Sequence, residues 1–100
     1  LFRSDMQLEV GSYVLANYST MKSQIFYVGE VLALENNDVL IDCLRRVGKT
    51  QRFCRPEIAD PDAITLDRIE MVLHPETSHG TNERSLSTLA FSNIGHYNVR

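Results

Sequence analysis

Residues 25–35 read IFYVGEVLALE, a run that is apolar on both faces when laid out with a period of two. Tyr27, Gly29, Val31 and Ala33 fall on one side, and Phe26, Val28, Leu32 and Leu34 on the other. A strand buried on both faces with a glycine inside it is one that bends, and Gly29 is placed to let it turn a corner and serve two sheets. Small β-barrels close in this way, so this run narrows the fold more than any other part of the chain.

The flanking sequence continues the β reading. Residues 12–18 alternate, with Val14, Ala16 and Tyr18 on one face, and residues 19–24 form a polar loop. Asn36-Asn37 is a tight turn, because asparagine tolerates positive φ, and residues 38–44 return with Val39, Ile41 and Cys43 on one face. Gly48 marks the next turn, followed by a short strand at 51–55 anchored by Phe53. Residues 56–67 hold two prolines and several acids and read as a loop, with one helical turn around 61–64. The last strand is 67–73, with Ile69, Met71 and Leu73 alternating.

Five short strands, one of them long and bent, define an all-β fold: a small five-stranded SH3-like (Tudor-like) barrel over residues 10–74. Residues 1–9 are a lead-in. Residues 75–100 form a polar linker and C-terminal segment whose apolar island at 85–91 is expected to pack back as an extra strand or to serve self-association.

One hundred residues make a single domain. No apolar run approaches the roughly 18 to 20 residues needed to span a bilayer, so no membrane partner is expected. The chain opens on Leu1 rather than Met and is expected to be a piece of a longer protein. Cys43 and Cys54 are too few for a disulfide-stapled scaffold and point to reduced, partly buried thiols in a nuclear or cytoplasmic setting.

Chemistry-bearing motifs are sparse. Gly48-Lys49-Thr50 matches the end of a phosphate-binding loop, but Cys43 stands where the earlier glycine is required and no helix follows, so it reads as a hairpin turn. Cys43, Cys54, His74, His79 and His96 lack the paired spacing of metal ligands, and no cofactor is expected. Glu57, Asp60 and Asp62 cluster in a loop with no nucleophile and base beside them, so enzymatic activity is not expected.

Two surfaces remain as candidates for binding. The first is the stretch RRVGKTQRFCR at 45–55, which carries Arg45, Arg46, Lys49, Arg52 and Arg55 and no acid. The whole chain has 10 Lys and Arg against 13 Asp and Glu, so the rest of it balances five cations against thirteen acids. A basic β-hairpin tracks phosphates, which makes nucleic acid the alternative partner, although the acids at 57–67 are placed to pair with these arginines. The second is a groove formed by Tyr18, Phe26, Tyr27 and Leu44, suited to another protein or peptide, which is the favoured partner. The same rings supply part of a cation-binding aromatic cage, but the position near Cys43 and Leu44 where a far wall belongs is not aromatic.

The segments VGSYVLANY, FYVGEVL, VLIDCLRRVGKTQRFCRPE and ITLDRIEMVLHP together resemble a small β-domain at the C-terminal end of pogo-like transposon-derived proteins. The matching residues are Gly11, Tyr13, Val14, Tyr27, Val28, Gly29, Val31, Leu44, Arg45, Arg46, Phe53, Pro56, Glu57, Ile69 and Leu73. More distantly the layout is similar to Tudor-type barrels, departing where Asp42-Cys43-Leu44 replaces an aspartate-tyrosine-glycine. The resemblance implies a non-enzymatic interaction module in a chromatin, genome-defence or transposon-derived setting, and assigns it no catalytic residues.

Overall fold

A computed structural model describes residues 8–48, 52–75, 89–91, 94–95 and 97–100. The described elements, in chain order, are β1 (Tyr13–Asn17), β2 (Phe26–Glu35), β3 (Asp38–Cys43), β4 (Arg45–Arg46), β5 (Arg52–Cys54), β6 (Asp62–Thr65), a 3-10 turn (Leu66–Arg68), β7 (Ile69–Leu73) and β8 (Leu89–Ala90). The chain is all-β, with antiparallel sheets. One sheet has five strands in the order β6-β3-β2-β1-β7, and the other has three in the order β4-β5-β8.

The five-stranded sheet is not closed into a barrel, because its end strands β6 and β7 do not pair with each other. Two segments depart from the sequence reading. The strand expected at 51–55 joins the separate three-stranded sheet, while the fourth strand on the large sheet is β6, from the segment read as a loop. The helical turn lies at Leu66–Arg68 rather than around 61–64. Prolines and acids masked β6: Pro61 precedes it, and Ile64 is its single buried residue.

Each strand of the large sheet sends residues to one core cluster: Val14 and Ala16 from β1, Val31 from β2, Val39 and Ile41 from β3, Ile64 from β6 and Ile69 from β7. The opposite face carries a second cluster, in which Leu15, Phe26, Val28 and Leu73 meet Leu44, Phe53, Phe91, Ile94 and Val99. Both faces of the sheet centre are therefore dry, which is why β1 and the first half of β2 lack polar alternation. The C-terminal residues belong to this core: β8 extends the small sheet through Arg52↔Ala90 and Phe53↔Leu89, and Val99 bridges to Phe26.

Gly29 has a different role from the expected corner. The register shift in β2 falls between Val31 and Ala33, two residues further on. At Gly29 an added Cβ would lie 3.0 Å from Ile41 Cδ1 and 3.3 Å from Ile41 Cβ, so the missing side chain admits the close approach of Ile41. The β2–β3 turn is made by Asn36-Asn37, with Asn36 at φ 50° between the paired Glu35 and Asp38. Gly48, at φ 59°, begins the turn after β4.

Candidate functional site

A cleft of about 680 Å³ opens where the end of β3 meets the loop between β5 and β6. Its walls include Tyr18, Tyr27, Asp42, Cys43, Asp60 and Asp62, together with Leu44, Arg45, Pro56, Glu57, Ile58 and Pro61.

The tyrosines are fixed by the first hairpin. Ala16 pairs with Tyr27 in the β1–β2 ladder, and Tyr18 lies two residues past Ala16 on the same face. The loop between them is held by its own polar groups: Tyr18 N donates to Ile25 O at 2.8 Å, Ser19 N to Asn17 Oδ1 at 2.8 Å, and Ile25 N to Ser19 Oγ at 3.0 Å. The two rings meet edge to face, with centroids 5.1 Å apart and planes at 83°.

A polar chain crosses the cleft. Tyr18 Oη donates to Asp62 Oδ2 at 2.7 Å, and Cys43 Sγ approaches Tyr18 Oη at 3.9 Å as a weak donor. Burial, then the bond to Asp62, pushes the Tyr18 phenol far above its ordinary value, so it stays a neutral donor. Burial also raises the Cys43 thiol; its bond with Tyr18 pulls the other way, and Asp62, Asp42 and Asp60 add to the rise. A thiol held protonated among carboxylates is a poor nucleophile.

Acid predominates around the cleft: Asp42, Glu57, Asp60 and Asp62 stand against Arg45. Asp42 is only 7 % exposed, and the hydrogen bond it receives comes from Asp60 N at a long 3.4 Å. Ile58 stands at the opening with 83 % of its surface exposed.

Of the groove predicted from sequence, Tyr18, Tyr27 and Leu44 line this cleft, Leu44 with 3 % exposure and most of its side chain in the core. Phe26 does not. It lies on the opposite face of β2, 6 % exposed, with its ring 4.9 Å from that of Tyr97, because alternation sends residue 26 away from residue 27.

The basic stretch does not form one unpaired face. Arg55 Nε donates to Glu30 Oε1 at 3.0 Å, its Nη2 reaches Glu30 Oε2 and the Tyr13 hydroxyl, and Glu30 raises its pKa. Arg46 lies over the Phe53 ring at 5.5 Å, and Arg52 is half-buried and partnered. Arg45 is exposed, and Lys49 lies outside the described residues. Arg55 turns to Glu30 rather than to the acids at 57–67, whereas Arg45 lines the cleft together with Glu57, Asp60 and Asp62.

The carboxylates are the part of the site that sequence reasoning missed. Asp60 and Asp62 read as solvated loop acids, and nothing short of pairing β6 with β3 brings them to Tyr18 and Cys43. Among the described residues no group of three His, Cys, Asp or Glu side chains is arranged to hold a metal ion, and no helix is long and apolar enough to cross a membrane. No family model matches the chain, and no curated protein or solved structure matches it.

Proposed function

We propose that this chain is a non-enzymatic protein-interaction module that binds a peptide segment of its partner in the Tyr18–Tyr27 cleft. The observation that carries this reading is the cleft itself: two aromatic faces, an exposed Ile58 and four carboxylates around an open volume of about 680 Å³, with its thiol and phenol both held neutral. Such a surface offers rings for contact area and acids for orientation.

The module is proposed to be an elaborated SH3-like fold. Five strands run in the order last, first, second, third, fourth, all converge on one cluster, and carry a 3-10 turn before the last strand. The β4–β5 hairpin and the C-terminal residues form an added layer over the opposite face. A chromatin, genome-defence or transposon-derived setting is proposed from the sequence resemblance.

Selection of binders from a random peptide library, followed by amide-shift mapping on the 15N-labelled chain, tests this reading. Selected peptides are expected to shift Tyr18, Tyr27 and Asp62, and Tyr27→Ala is expected to lose them while remaining folded. Peptides that map elsewhere, or binding only of duplex DNA through β4 and β5 at low salt, would overturn it.

A further inference from the structure

We infer that the occupant of the cleft is the guanidinium of an arginine, presented by a basic segment of the partner; this rests on reading the cleft as a peptide site. Three independent features of the cleft converge on that chemistry.

The first is charge. Four carboxylates and one guanidinium, that of Arg45, line the open cleft, so an incoming cation gains and an incoming anion loses. The second is the state of Asp42. Among the described residues Asp42 accepts a side-chain hydrogen bond from Asp60 N at a long 3.4 Å, and it lines the cleft, where a guanidinium N–H can add another. Asp62 is similarly half-used, with Oδ2 taken by the Tyr18 hydroxyl and Oδ1 left over.

The third is the rings. Tyr18 and Tyr27 both line the cleft, edge to face at 83°, and offer aromatic surface to a cation. Among the described residues that line the cleft there is no third ring to close a cage. A guanidinium stacks on a tyrosine face and carries five N–H donors in a rigid fork, enough to serve separate carboxylates at once. A lysine ammonium supplies charge and three donors but no plane. A trimethylated lysine supplies no donor at all, and would add no hydrogen bond to Asp42 or Asp62.

The test titrates the full 15N-labelled chain with four short peptides, acetyl-Gly-Gly-X-Gly-Gly-amide, in which X is arginine, lysine, trimethyl-lysine or citrulline. Citrulline keeps the shape of arginine and removes its charge, and leaves the protein untouched. The arginine peptide is expected to shift the amides of Tyr18, Tyr27, Asp42 and Asp62 saturably, and the citrulline peptide to bind about tenfold more weakly. Lysine should fall between them. Glu57→Gln with Asp60→Asn, both at exposed positions, should weaken the arginine peptide several-fold and leave the fold's spectrum intact.

Equal binding of arginine and citrulline peptides would overturn the inference, as would a preference for trimethyl-lysine. If library-selected peptides fill the cleft without any cationic residue, the inference fails while the peptide-binding reading stands. If the same amides shift with protein concentration and no peptide, a second copy of the chain fills the cleft, which also overturns it.

Discussion

Replacing Gly29 with alanine tests the closest packing in the fold. The new Cβ would meet Ile41 Cδ1 at 3.0 Å and Ile41 Cβ at 3.3 Å, both inside ordinary carbon–carbon contact. Cδ1 can swing aside, but Cβ is fixed to β3, and Ile41 is completely buried. Overpacking of this kind costs about 1–3 kcal/mol. Against it stand the smaller unfolded-state entropy of alanine, about 0.4–1 kcal/mol, and its better fit to a strand. The expected net loss is about 1 kcal/mol, which at a urea slope of about 1.5 kcal/mol/M moves the midpoint down by about 0.7 M. The decisive variant is the double one. Ile41→Val removes Cδ1 and alone costs about 0.5–1.5 kcal/mol, but combined with Gly29→Ala it relieves the contact. The double mutant should therefore be more stable than the sum of the singles by at least about 0.5 kcal/mol, beyond the additivity expected of independent sites. Equilibrium urea unfolding of the four proteins measures this. A Gly29→Ala protein as stable as the parent, or a strictly additive cycle, would refute the argument.

Phe91 packs on Tyr13 and Phe53 at centroid distances of 5.4 and 6.0 Å, so Phe91→Ala should cost about 3–5 kcal/mol in urea unfolding, and a loss under about 1 kcal/mol would show that the C-terminal layer is not part of the core. Arg55→Ala should cost no more than about 1 kcal/mol, because the Arg55 side chain is 62 % exposed in its pair with Glu30, and thermal melts in low and high salt should converge as screening removes the pair. Cys43 should react with iodoacetamide more slowly than in urea-unfolded chain at every pH up to about 9, read by mass spectrometry. Its folded value is raised, so its contribution to stability is present below the unfolded thiol value of about 8.5 and is lost as pH rises from there through the folded value; Cys43→Ser should flatten that alkaline limb, and an unchanged limb would remove the thiol from the account.

β3 and β7 were legible from alternation, and β1 and β2 from apolar, β-branched and aromatic runs that bury both faces. β6 was not, since a four-residue edge strand with one buried side chain carries almost no periodic signal. The small sheet was hidden for another reason. Arg45-Arg46 pairs with Phe53-Cys54 as a hairpin should, and the apolar island at 85–91 supplies the extra strand its composition suggested, but its pairing with β5 spans a long sequence separation and no local pattern announces that partner. The same distinction divides the cleft. Tyr18 and Tyr27 follow from one hairpin register, whereas Asp42, Asp60 and Asp62 converge only after β6 has docked on β3.

Arg55 is one cation that does not offset the acids of the cleft. It follows β5 directly and precedes Pro56, whose ring fixes the turn into the acidic loop. Its guanidinium bonds both oxygens of Glu30 and the Tyr13 hydroxyl, which ties the small sheet to the first hairpin of the large one. An arginine committed in that direction cannot also neutralise Glu57, Asp60 or Asp62, although these are its near neighbours in sequence. The fold thereby separates charges that the chain intermixes: Arg46 and Arg52 belong to the small sheet and the carboxylates to the cleft, with Arg45 bordering both. A net charge of only −3 conceals this separation, and the proposed cationic partner answers to the local field at the cleft, not to the chain's average.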